Sequence, residues 1–386
     1  MYLLNAIDHY KRYKRYKRIR YYESIYELLC RVHLTGILDL GCVYLRFWEL
    51  PPFGSELHIP LDPRKVRAVY LKMRLVERDE DVEKNIEIEK VPNNKSEQYY
   101  IPGGLPNEIA ILMTLFTRAH FVLSRRLIIT DIPLLVRYAS EEDVGRGDMD
   151  GKELRLKDIE THLKRFEGLR LRERSEKGRI LRRLEPFMLA ARFYHLAFSL
   201  INRDATLAYI SLICAIEALI HDYDVKNFRL GDWNDKAAKL IKSYVCDRKK
   251  YKEIEQVIIT KPIRIKQRFK KFIVEHITNK FWSDPTRPGK KNSWVRFKDL
   301  KDIEEYLDRI YEARSNALHE GRPFPPSGKE LNAERPIGSA MQIGSKEWKE
   351  KELVPPVRAF ERIVHHVLME YLRRESKKGF DSLKKK

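Results

Sequence analysis

Hydrophobic and polar positions give the chain two textures. Between Leu57 and Val91 apolar residues come in short, β-branched or alternating runs, HIPL, AVYLKMRLV and IEIEKV, separated by Asp62-Pro63 and a charged stretch from Glu77 to Glu83. Alternation punctuated by turn residues predicts a small antiparallel sheet. Pro102, Gly103, Gly104 and Pro106 then break the chain. Apolar residues at three- and four-residue spacing predict a helix from Glu108 to Arg126, and a second apolar run follows from Leu127 to Val136. These elements make an α+β domain over 23–139. The acidic, glycine-containing segment from Ser140 to Gly151 has no period and reads as a boundary or exposed loop. A basic helix from Leu154 to Leu184 completes a connector over 140–185.

From Phe187 onward the helical period takes over. It recurs over 187–202, 205–221, 233–245, 251–257, 265–276, 300–319 and 357–374. The expected fold is therefore an α+β N-terminal domain followed by a mainly α-helical bundle over 186–375, with a basic tail at 376–386. Prolines and glycines between Gly321 and Pro356 interrupt the bundle for longer than a simple connection needs.

Composition narrows the partners. The chain has 386 residues, with 76 Lys plus Arg against 56 Asp plus Glu, a net charge of +20. Its length fits about two or three domains and a buried core. Cys30, Cys42, Cys214 and Cys246 are too sparse for a disulfide framework and form no CxxC half-site. The longest apolar run, Ala205 to Ile220, is shorter than a bilayer span and contains Glu217, so no membrane segment is expected. The N-terminus lacks an apolar core of the secretory type, which points to a cytoplasmic protein. For such a protein a large positive excess favours RNA, structured or ribosomal, as the partner.

Three basic tracts are candidate RNA contacts. An arm over 1–22 interleaves Tyr10, Tyr13 and Tyr16 with Lys11, Arg12, Lys14 and Arg15. Stacking plus phosphate attraction would hold single-stranded RNA there, although docked tyrosines beneath a solvated cationic face would give the same pattern. The second tract, Leu163 to Arg183, contributes Arg179, Arg182 and Arg183. The third, Arg248 to Lys271, contributes Arg264, Arg268 and Lys271 and holds ten basic residues against Glu253 and Glu255. Trp282 and Trp294 bracket the loop DPTRPGKKNSW, as stacking groups or as anchors.

Cofactor and metal motifs fail on spacing. Asp148-x-Asp150-Gly151 lacks the closing Glu of a calcium loop. Gly151-Lys152 lacks the earlier glycine and the following Ser or Thr of a phosphate loop. Glu361, His365 and His366 have no further ligand at suitable spacing. No metal and no cofactor are expected.

The stretch from Tyr306 to Pro323 carries the chemistry. At about 100° per residue, Ile303, Leu307, Ile310, Ala317 and Leu318 share one stripe, and Arg314 falls within it. A guanidinium aimed at a core or interface needs an anion. Glu217, set in the apolar run SLICAIEALI, is one candidate and a bound phosphate is the other. Gly321 and Pro323 end the helix, so His319 sits in its last turn, where free carbonyls attract a cation; that position suits an acid/base group. Five residues separate Arg314 from His319 by about 140° around a helix. A second subunit would close the cleft between them.

Arg314-x4-His319 near the end of an amphipathic helix, with the SLICAIEALI helix upstream, resembles the HEPN superfamily and specifically its Apea-like branch. The resemblance covers about the last 190 residues. It implies a helical bundle that pairs as a homodimer, with two Arg-x4-His motifs converging into a ribonuclease site that needs no metal. His319 would then act on the ribose 2′-hydroxyl or the leaving 5′-oxygen, and Arg314 would stabilise charge on the phosphate, leaving a 2′,3′-cyclic phosphate end. Many active relatives place Asn, Asp or His directly after the arginine, whereas this chain has Ser315 there and Asn316 next, both able to supply hydrogen bonds. Bundles of this superfamily also serve as binding scaffolds, and as parts of toxin-antitoxin or defence systems.

Overall fold

The computed structural model describes residues 21–35, 37–40, 43–46, 67–76, 104–127, 136–137, 153–175, 183–220, 223, 230–233, 235–258, 261–283, 299–322, 324, 341–343, 346–348, 354–355 and 357–384. The arm over 1–20, the HIPL and IEIEKV runs, the loop over 140–150, the 284–298 loop and Trp294 lie outside them. Most described residues are helical, with a small strand region in the N-terminal part. The chain divides into two compact units. Residues 1–204 and 371–386 form the first, and residues 205–370 the second.

In the first unit, strand β1 (Tyr21–Cys30) is the centre of a six-stranded antiparallel sheet. β2 is His33–Thr35, β3 Ile37–Asp39, β4 Val43–Arg46 and β5 Arg67–Val76. β5 is the AVYLKMRLV run, and it pairs with β1 along its whole length, Tyr21 opposite Val76 and Cys30 opposite Arg67. On the other side of β1 lies β6 (Val122–Leu127), which pairs in turn with β7 (Val136–Arg137); the full order is β3-β4-β5-β1-β6-β7. β2 lies parallel to β8 (Glu153–Arg155). Leu28, Cys30, Val69 and Leu71 are fully buried. Each such apolar side chain contributes roughly 1.5–3 kcal/mol relative to exposure.

The helix expected over 108–126 is corrected. Helix α1 spans Gly104–Thr117, and the chain then turns back into the sheet as β6. Thr114 and Thr117 turn their hydroxyls onto the carbonyls of Ala110 and Met113, and Thr114 Oγ1 also accepts from the Phe121 amide at 3.1 Å. Arg118 takes the left-handed conformation, φ 55°. Local threonine bonds and one reversed residue thus end a helix whose apolar pattern continues.

Helix α2 (Leu156–Ser175) and helix α3 (Leu184–Leu200) pack beside α1. The last helix of the chain, α11, is Val357–Lys384, and it reaches ten residues beyond the expected end at Arg374. Its residues from Tyr371 onward belong to this unit. There Tyr371 stacks on Phe187 with ring centroids 6.2 Å apart, and Gly168 of α2 approaches the turn at Ser376. A methyl group at Gly168 would sit 2.9 Å from the Ser376 carbonyl oxygen. Backbone cannot yield as a side chain does, so Gly168→Ala is expected to cost about 1–3 kcal/mol, measurable as a lowered urea midpoint at unchanged slope.

Three histidines of this unit are held neutral. Burial is the main cause for each. His120 lies well below its ordinary value, pushed further by His195 and Arg203. His195, whose Nε2 lies 2.8 Å from the Phe121 carbonyl, is also lowered, burial outweighing that bond. His162 is lowered to about 4, by burial and then by Arg165, whose guanidinium donates to Nδ1 at 3.3 Å. Folded values below 6.5 mean that the unfolded chain binds more protons between the two values. Stability is therefore complete above about pH 6.5 and falls as pH drops toward 4. Thermal melts from pH 7 to 4.5 should show a steadily falling midpoint; a flat profile would mean that these imidazoles are not buried as neutral bases.

The second unit is built from α4 (Ala205–Glu217), α5 (Leu230–Trp233), α6 (Asp235–Tyr244), α7 (Arg248–Ile258), α8 (Lys261–His276), α9 (Asn279–Ser283), α10 (Leu300–Glu320) and α11 as far as Glu370. A hairpin, β9 (Met341–Ile343) with β10 (Lys346–Trp348), falls within the proline- and glycine-rich stretch. Tyr209 of α4 is fully buried, stacked 4.6 Å from Phe324, and its hydroxyl donates to the Pro355 carbonyl. Phe269, Phe272, Ile303, Leu307, Ile310 and Phe360 complete the core around it.

Candidate functional site

α10 is defined by its ends. Asp299 caps its start, the carboxylate accepting from the Asp302 amide at 3.0 Å, which satisfies one free donor of the first turn. At the other end Gly321 adopts φ 66°, and the Asn316 carbonyl accepts from the amides of Gly321 and Arg322. Glycine takes that conformation without a Cβ penalty, so the helix stops here and fixes His319 in its final turn.

Ile303, Leu307 and Ile310 face the core, as their spacing predicts. Arg314 is half-buried and meets Glu217. Its Nη2 donates to Glu217 Oε2 at 2.8 Å, and the Tyr311 hydroxyl donates to Oε1 at 3.1 Å. The two charged side chains are 21% and 20% exposed, so water screens the pair only partly. The guanidinium also lies 5.2 Å from the centre of the Tyr311 ring, a cation–π distance. Of the two anions considered for Arg314, the fold supplies the carboxylate. Burial, and then the charge of Glu217, pushes the Tyr311 hydroxyl up from its ordinary value, so it remains a donor. The half-buried Cys214 thiol is raised by the same two causes.

The carboxylate does not exhaust the guanidinium. Arg314 Nε is buried with no hydrogen-bond partner among the described residues. His319 is exposed, with no hydrogen bond or ion pair among the described residues. Ser315 and Asn316 are half-buried between them in sequence. One chain thus directs Arg314 inward to Glu217 and His319 outward, as the angular separation on the helix requires.

One turn before Tyr311, Asp308 receives two lysines of α8. Lys270 Nζ is 2.6 Å from one carboxylate oxygen and Lys266 Nζ is 3.1 Å from the other. Phe269 lies between them in sequence and packs on Tyr311 at 5.4 Å. Neither lysine was singled out in the sequence, because a regular basic helix gives no sign of which cation reaches across.

The remaining predicted contacts are scattered. Tyr10, Lys11, Arg12, Tyr13, Lys14, Arg15, Tyr16, Arg179 and Arg182 lie outside the described residues. Arg183 Nε stands 4.0 Å from Glu375, a long ion pair. On α8, Lys271 is exposed, 4.0 Å from Glu275, and Arg268 is half-buried; only the backbone of Arg264 is described. Trp282 lies edge-on to its neighbour Phe281. No cluster of three metal-ligating side chains occurs among the described residues, where His366 Nε2 instead lies 3.1 Å from the Thr278 hydroxyl. None of their helices is long and apolar enough to cross a membrane.

No family model matches the chain, and no significant match is found among curated proteins or solved structures.

Proposed function

We propose that the protein binds RNA in the cytoplasm and cleaves it without a metal, at a site completed by pairing of two copies through their HEPN-like bundles. One observation carries this reading: an exposed imidazole with no hydrogen bond or ion pair among the described residues stands in the closing turn of the same helix whose guanidinium is oriented by Glu217 through one of its nitrogens. A guanidinium has five N–H donors; Nε is buried, and the single Oε2 contact leaves the remaining terminal N–H groups for a phosphate. His319 of one copy would take the proton of a ribose 2′-hydroxyl. The 2′-oxygen would then bond to phosphorus, the bond to the 5′-oxygen would break, and that oxygen would receive a proton from an imidazolium. Arg314 would neutralise the charge gathering on the non-bridging oxygens. Glu217 would act as a positioning residue.

A second reading has its own observation. The Glu217–Arg314–Tyr311 cluster also serves as a structural bridge, both carboxylate oxygens accepting a hydrogen bond, as expected of a non-catalytic, RNA- or ribosome-associated scaffold. Incubation of labelled RNA in EDTA with wild type, Arg314→Ala and His319→Ala separates the two. Cleavage by wild type that is lost in His319→Ala, with RNA affinity retained, supports the nuclease. Absence of cleavage by wild type across varied RNAs supports the scaffold.

A further inference from the structure

The elbow between α6 and α7 is the part of the second unit whose charge and aromatic exposure the fold leaves unexplained. α6 ends at Tyr244 and α7 begins at Arg248, with Val245, Cys246 and Asp247 between them. Tyr244 is 82% exposed, far more than packing of an aromatic residue would leave. Its hydroxyl has no partner among the described residues. In the same stretch of chain Lys242, Arg248, Lys249 and Lys250 are all exposed and make no ion pair among the described residues.

The nearby acids, Asp247 before the helix and Glu253 one turn into it, offset these charges only in part. Asp247 spends one oxygen on the Lys249 amide at 2.7 Å, and Glu255 accepts from the Leu230 amide at 2.7 Å. The first turn of α7 contains no acidic residue. Three successive cations therefore crowd the end of a helix that already carries positive partial charge, an arrangement unfavourable by a few tenths of a kcal/mol or more per residue. An almost fully exposed tyrosine in a run of exposed cations that have no ion-pair partner among the described residues marks a surface shaped for something outside the chain.

We infer that this elbow is a stacking site for an unpaired base of single-stranded RNA, with Tyr244 as the platform and Arg248, Lys249 and Lys250 at the start of α7 holding the adjoining phosphates. This rests on the reading of the protein as an RNA binder. Cationic side chains with an exposed aromatic face are the combination by which single strands are held without regard to sequence. An anionic membrane would also attract the cations, but it would not need one isolated ring beside them.

The test is fluorescence anisotropy with a labelled 12-nucleotide single-stranded RNA and a matched RNA duplex, using the full chain. Tyr244→Ala should weaken single-strand binding by about tenfold or more and leave duplex binding unchanged, while Tyr244→Phe keeps wild-type affinity. Replacing Arg248, Lys249 and Lys250 together with Ala should reduce the slope of log affinity against log salt by about 2. α7 has no buried residue, so these variants should melt with wild type. Equal single-strand affinity of wild type and Tyr244→Ala would overturn the elbow site, and so would a loss confined to anionic vesicles. If wild type binds the RNA while Tyr244→Ala loses nothing, only the elbow fails. If wild type binds no RNA, the wider reading fails with it.

Discussion

His319→Ala is expected to lower RNA cleavage in EDTA by about 10²- to 10⁴-fold, the usual contribution of a positioned acid/base group, with little change in RNA affinity or melting temperature. His319 is exposed and makes no hydrogen bond or ion pair with a described residue, so its removal leaves no buried cavity and no orphaned partner among them. Arg314→Ala is a poorer probe of chemistry, since it strands the Glu217 carboxylate in a site only one-fifth open to water. A lost rate in that variant has to be read beside its stability. The proposed pairing of two copies has its own readout. Mixing inactive His319→Ala with inactive Arg314→Ala should restore part of the activity if each copy supplies one group to a shared site. Restoration absent under exchange conditions, with both homodimers folded, would place the two groups in separate sites and remove the composite mechanism.

How much of this was legible in the sequence depends on whether one local signal dominated. Ile303, Leu307 and Ile310 recur at helical spacing with a cap before them and Gly321 after them, so α10 follows from its own residues. Glu217 in an apolar run and Arg314 in an apolar stripe are each costly alone, and that cost predicts their meeting across about a hundred residues. β1 was not assigned because Leu28, Leu29 and Cys30 are buried consecutively between two neighbouring strands, which erases the period of two. The end of α1 was misplaced because hydroxyl-to-carbonyl bonds of Thr114 and Thr117, not hydropathy, decide it. His120, His162 and His195 carry no mark in the sequence at all, for their burial is a property of the packing of α1, α2 and α3.

The Glu217 cluster is where stability and the proposed chemistry meet, and its removal carries the largest structural effect. Glu217→Ala should destabilise the second unit by about 2–4 kcal/mol, somewhat under the cost of breaking a fully buried pair, because each side chain remains about one-fifth exposed. The loss has two sources: an uncompensated guanidinium against an apolar stripe, and a Tyr311 hydroxyl without its acceptor. Tyr311→Phe alone should cost only about 1 kcal/mol, the net worth of one hydrogen bond. The double variant Glu217→Leu, Arg314→Met should recover most of the stability lost in Glu217→Ala, since no charge is then left to desolvate. Urea unfolding of the single and double variants gives the coupling energy directly. A coupling below about 0.5 kcal/mol would make the pair an ordinary surface contact. The same variants separate fold from function. A stable Glu217→Leu, Arg314→Met protein that binds RNA but does not cut it would show that the bridge is replaceable as structure and needed as chemistry, whereas retained cutting would mean that Arg314 takes no part in the reaction.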